Sequence, residues 1–154
     1  MTGWSRSPVT SDQQPGDQNW GPEVHDRPTV DELLRAVELL LDEQLVPSLE
    51  GSRKYNARVA ANVIRIVRRE LQNDERQLDA EWRGLDHVLG PAERPATQYA
   101  LRQALVERNR ELSERIRAGD ADDGRFRELV FAHVRDIVHA KLEVSDPGWL
   151  GAEK

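Results

Sequence analysis

The chain has no cysteine, a single methionine, and few aromatic residues for its 154 positions. Without cysteine there can be no disulfide staple, no thiolate metal site and no thiol nucleophile. The absence fits a reducing compartment, and we expect a cytoplasmic protein. No stretch approaches the length of an apolar membrane span, and Met1–Thr10 holds no apolar core of a signal peptide, so neither is expected. An excess of positive charge is missing too. At a formal net charge of −6, the chain does not read as a general nucleic-acid binder. Alternating apolar and polar runs with hairpin turns are absent, which excludes an ordinary sheet. The phosphate-cradling glycine loop, the nucleophile elbow and the His-Glu-x-x-His zinc motif are all missing, so no catalytic residue and no cofactor is expected.

What remains is helical periodicity. Residues 1–27 are rich in Ser, Gln, Gly, Asp and Pro and read as a disordered tail, because so few apolar groups cannot offset the entropy of ordering. Trp4 and Trp20 stand out in it: either Trp4 is incidental and Trp20 tucks against the domain, or one or both anchor onto a partner. Residues 28–150 read as a single all-α domain, a bundle of four to five helices. Thr29 and Glu32 form a capping box for the first helix. At ~100° per residue, Val30, Leu33, Leu34, Val37, Leu40, Leu41 and Leu45 share one face, with Leu39 and Val46 on the far side. Pro47 is expected to stop this helix.

A second helix is expected from about Arg53 to Gln72, with Ala57 and Ala61 small enough for a close neighbour. A third is expected from Asp74 to Leu89, capped by Asp74 with Gln77 and carrying Leu78, Trp82, Leu85 and Leu89. The fourth, from about Pro95 to Ala118, has Arg108 inside its apolar stripe and reads as the least buried. The last, from about Arg125 to Val144, is apolar over so wide an arc (Phe126, Leu129, Val130, Phe131, Val134, Ile137, Val138, Leu142) that more than one neighbour should cover it.

Few side chains suggest chemistry. The acidic loop Gly119–Gly124 fails the calcium-loop spacing, since the twelfth position from Asp120 is Phe131, so it reads as a solvated loop with a cap for the last helix. His25, His87, His133 and His139 form no ligand spacing, so no metal is expected. His133 lies on the apolar face and suits a core or an interface. On the second helix, Lys54, Arg58, Asn62, Arg65 and Arg69 fall in one row with no acid among them. Such a row is either a solvated face or a grip for a carboxylate-rich partner or a phosphate.

Three segments then carry a resemblance. Pro28-Thr29-Val30-Asp31-Glu32-Leu33-Leu34-Arg35-Ala36-Val37, Val46-Pro47-Ser48-Leu49-Glu50-Gly51, and Ala57–Asn62 through Arg69-Glu70-Leu71 resemble a small bacterial family of domains of unknown function. The ending Lys141–Leu150, a helix exit into a proline turn with Trp149, is similar to that family's ending. The resemblance covers about residues 25–151. It implies a neighbour of known chemistry: such proteins are typically encoded beside an aminoglycoside-phosphotransferase-like kinase and an acyl-CoA dehydrogenase. In a levulinate-type pathway a similar small protein is the accessory subunit of the kinase that phosphorylates 4-hydroxyacyl-CoA thioesters.

The expectation is therefore a non-catalytic subunit that binds such a kinase as a hetero-oligomer. Lys54, Arg58, Asn62, Arg65 and Arg69 would meet the kinase or the phosphates of an acyl-CoA, and Leu39, Val46, His133 and Trp149 would lie at the interface. The alternatives are a self-associating homo-oligomer, or an acyl or CoA carrier, with no kinase involved.

Overall fold

A computed structural model describes residues 27–151 of the protein. The tail reading of residues 1–27, with Trp4 and Trp20, lies outside the described residues but for Arg27. Among the described residues the architecture is all-α, with four long helices and no strand. They are α1 (Val30–Leu39), α2 (Gly51–Leu89), α3 (Gln98–Arg117) and α4 (Gly124–Ser145). A π-helical turn (Leu40–Leu45) and a short α-turn (Val46–Ser48) prolong α1, and a 3₁₀ turn (Pro147–Gly151) follows α4.

The start of α1 is as the residues predict. Thr29 Oγ1 accepts from the backbone N–H of Glu32, and the Glu32 carboxylate accepts from the Thr29 N–H. Pro47 does not end the helix where it stands. It has no N–H to donate back, and just before it the backbone widens to π geometry, with the Val46 N–H reaching Leu41 O. Helical structure persists to Ser48 before the chain turns at Leu49 and Glu50.

The largest departure concerns the expected second and third helices, which are one helix of 39 residues. The residues from Glu70 to Gln77 include no glycine or proline, so nothing local forces a break. The proposed cap at Asp74 does not form: Asp74 pairs with Arg102, and Gln77 Nε2 donates to Ala140 O of α4. Asn73 donates to Arg69 O one turn back and stays within the helix. The helix ends at Gly90, whose φ of 99° is open to glycine and strained for other residues.

Each other helix packs on α2. The α1 helix runs antiparallel along its N-terminal half, with Asp31 opposite Arg68 and Asp42 opposite Arg65. Residues 90–97 then return along α2, as the Arg94–Asp79 pair shows, so α3 runs parallel to the C-terminal half: Arg102 meets Asp74 and Asn109 meets Glu81. The α4 helix is antiparallel, with His133 against Gly84 and Gln77 against Ala140.

The core therefore sits at the C-terminal half of α2. Leu78, Trp82, Leu85 and Val88 interlock there with Leu101, Leu105 and Leu112 of α3 and Val130 of α4. The expectation that the Pro95–Ala118 helix is the least buried is overturned. Its Arg108 is itself buried, lies over the Trp82 ring at 4.7 Å, and donates to the Asp86 carboxylate and to Gly90 O at the end of α2. A guanidinium so paired closes the helix end instead of opening the stripe to water.

Leu85 is fully buried at the centre of this cluster. Leu85→Ala should cost about 2–5 kcal/mol of stability through lost burial and the cavity left behind. Urea unfolding followed by circular dichroism tests this; a loss under about 1 kcal/mol would mean that the cluster is not the core.

Candidate protein-interaction surfaces

The basic row of α2 is not the open cationic face that its sequence suggests. The neutralising acids come from α1. Arg65 pairs with Glu38 at 3.0 Å and also with Asp42. Arg68, which the row had left out, is the centre of the seam: it bonds Asp31 at 2.8 Å and Glu38 at 2.6 Å. Gln72 adds a bond to Asp31 at 2.9 Å. The spacing of Asp31, Glu38 and Asp42 along α1 was the signal available in the sequence, since residues seven and eleven apart share one helix face.

The hydrogen bond from Arg68 holds the Asp31 carboxyl below its ordinary value, and the bonds that Arg68 donates to Asp31 and Glu38 raise its own pKa in return. Burial works against ionisation of Glu38, but the guanidiniums of Arg68 and Arg65 outweigh it and its pKa is lowered. Glu32 is also lowered, chiefly by the backbone N–H of Thr29. At the far end of the row, Arg69 Nε donates to Val144 O at 2.6 Å and so ties down the end of α4. Arg65 and Arg69 are thus engaged within the chain. Lys54 is half-buried, while Arg58 and Asn62 are exposed and make no side-chain hydrogen bond among the described residues.

With the seam on one side of α1 and α2, their apolar residues are left on another. Ala57 and Ala61, buried against the α1 segment as their size predicts, share the seam side of α2. Val59, Val63, Val67 and Leu71 lie at four-residue spacing on a stripe that farther along α2 becomes Leu78, Leu85 and Leu89. The far half is covered by α3. The near half is bare, with Val63 50% and Leu71 56% exposed. On α1, Val30, Leu33, Val37 and Leu40 are likewise exposed. At ~100° per residue in two antiparallel helices, both bare stripes point to the same side of the α1–α2 layer. Leu39 points elsewhere and is exposed; Val46 is half-buried.

A separate apolar surface lies on α4. The arc that should have met several neighbours meets chiefly α2, and only Val130 and His133 of this helix are buried. Phe131 is 62% exposed, and Val134 and Val138 continue its stripe. Arg127 lies over the Phe131 ring at 5.4 Å. Trp149, in the 3₁₀ turn that follows, is 69% exposed. His133 is buried within the chain, and its ring fills the space above Gly84, where any Cβ would stand 2.3 Å from Nδ1. Burial lowers its pKa, and the carboxylates of Glu81 and Asp136 oppose that only in part.

A cleft of about 620 Å³ separates α3 from the end of α4, lined by Ile66, Glu70, Gln77 and Glu81 of α2 with Arg102 and Lys141. Its charges are mixed, and Arg102 is engaged with Asp74. Asp123 occupies the capping position of α4 without a side-chain hydrogen bond, so the cap expected from the acidic loop is positional only. No group of three His, Asp or Glu side chains that could hold a metal ion occurs among the described residues, and none of their helices is long and apolar enough to cross a membrane.

The chain belongs to the family described as a domain of unknown function, DUF6285, whose model matches residues 47–149. The match is narrower than the resemblance of residues 25–151, for it begins at Pro47 and leaves out the α1 motif Pro28–Val37. No curated protein and no solved structure matches the chain.

Acidification should weaken the fold in two stages. His133 has a lowered pKa, so the unfolded chain takes up the proton first, and stability falls as pH drops below about 6.5. Asp31, Glu32 and Glu38 are also lowered, so their contribution is present above about pH 4 and is lost as pH falls further. Urea midpoints at about pH 7.5, 5.5 and 3.5 read both stages. His133→Gln should flatten the first and spare the second; an unchanged first stage would assign it to other groups. Independently, Gly84→Ala should cost about 1–3 kcal/mol by overpacking against His133. Part of that loss should return in the Gly84→Ala, His133→Ala pair.

Proposed function

We propose that this DUF6285 member is a non-catalytic accessory subunit of an aminoglycoside-phosphotransferase-like kinase that acts on hydroxyacyl-CoA thioesters. The chemistry of the partner comes from the resemblance. The physical support is the outer side of α4, where Phe131, Val134 and Val138 form an apolar stripe that no described part of the chain covers. A contiguous exposed apolar patch on a helix already packed on its other face is a candidate protein-interaction site. Arg127 beside Phe131 and Trp149 beyond the end of α4 add residue types that dominate binding energy at such contacts.

In this reading the kinase supplies the phosphate cradle and the metal-binding acids, and the helical subunit supplies a rigid surface. Arg58 and Asn62 are the members of the basic row free to face the kinase or the phosphates of CoA. Arg65 and Arg69 act at one remove, by fixing α1 and the end of α4.

Co-expression with an aminoglycoside-phosphotransferase-like kinase from the same genome tests the proposal. The two chains should purify as one complex and phosphorylate a 4-hydroxyacyl-CoA. Phe131→Asp with Val138→Asp should weaken the complex at least about tenfold, since a charge would have to be buried, while leaving the helical circular dichroism unchanged. Separate gel-filtration peaks for the wild-type chains would overturn it.

A further inference from the structure

The α1–α2 layer is built with its charges between the helices and its apolar groups outward. In a hairpin that stands alone, the apolar stripes face each other and the charges face water. Here the contact between the two helices combines the small side chains of Ala57 and Ala61 with the network of Asp31, Glu38 and Asp42 with Arg65 and Arg68. The apolar stripes Val30, Leu33, Val37, Leu40 and Val59, Val63, Val67, Leu71 lie side by side on one face. We propose that a second copy of this chain covers that face, the two layers meeting as a four-helix bundle.

Three observations favour a second copy. The first is charge. The eight side chains of the two stripes are uncharged, and the exposed ionised groups that share the α2 arc, Arg53 and Glu70, are of opposite sign, so the face can meet itself without net like-charge repulsion, even though the whole chain carries −6. The second is area. The exposed parts of these side chains present on the order of 600 Å², the top of the range a monomer leaves bare and close to what each partner gives to a stable interface. The third is shape. The stripes run about 15 Å on α1 and about 18 Å on α2, so they are matched in length and a two-fold axis can superpose the face on itself.

The orientation follows from α3, which rises from the same side of α2 just beyond Leu71. A two-fold axis along the helices would bring α3 of both copies together and hold the faces apart. An axis across the helices sends the two long helices in opposite directions, and α2 then lies antiparallel along the α2 of its mate. This interface is independent of the α4 stripe, which stays outside the bundle.

The chain has no cysteine, so a single introduced one reports the contact cleanly. Light scattering at about 10 μM should give twice the monomer mass of 17.6 kDa, as expected for an interface of this size. Mild oxidation of Val63→Cys or Val67→Cys should give a covalent dimer, and Phe131→Cys should not. Val63→Glu with Val67→Glu should raise the dimer dissociation constant at least about a hundredfold, because two charges per chain would be desolvated, with helicity retained. A monomer at about 100 μM, far above the concentrations at which stable dimers persist, would overturn the proposal. So would a dimer that the double glutamate variant leaves intact. Should the chain be monomeric and still bind the kinase through α4, this proposal fails and the accessory-subunit reading stands. A dimer that the double glutamate variant breaks, and that does not bind the kinase, upholds this proposal and removes the accessory-subunit reading.

Discussion

A helix of 39 residues is about 58 Å long, roughly twice the width of a small domain, and no single set of neighbours of ordinary length can cover it. The remainder of this fold is arranged around that constraint. The C-terminal half of α2 receives α3 on one flank and α4 on another, and there the large side chains interlock into a core. The N-terminal half receives α1 and the last turn of α4, and the buried residues there are two alanines. One continuous apolar stripe is therefore core at one end and surface at the other.

The uneven burial is matched by an unusual placement of charge. Paired groups hold the thinner end: Arg68 and Arg65 clamp three acids of α1, and Arg69 clasps the carbonyls at the end of α4. Half-buried pairs of this kind fix register and angle more than they add stability, since desolvation offsets much of their attraction. They position α1 so that its apolar edge lies beside that of α2. The surface so produced is broad and carries little net charge, whereas the surface on α4 is a narrow stripe bordered by arginine. The two differ in chemistry as well as in place.

Local signals were legible wherever a few neighbouring residues decide the outcome. The capping box at Thr29 and Glu32, the close approach at Ala57 and Ala61, the stripe Leu78, Trp82, Leu85, and the stop at Gly90 are all where the residues place them. Those signals mislead where a distant partner decides. Asp74 looks like a cap until Arg102 is seen to take it. Arg108 looks like a break in an apolar stripe, yet a carboxylate and a helix-terminal carbonyl let it be buried. The last helix looks the most buried because it is the most apolar, and it is among the least. Composition says what a face could bury, not whether anything lies against it.

The sequence by itself determined the all-helical state, the capping of α1, the end of α2 and which side chains share each helical face, because periodicity and capping act within a few turns. Only the tertiary structure decided that Arg65 and Arg69 of the basic row are engaged by the α1 segment and α4, that Arg68 is the centre of the seam, and which apolar faces remain bare among the described residues. Those outcomes depend on pairings between residues tens of positions apart, and a helical wheel carries no information about what stands opposite it.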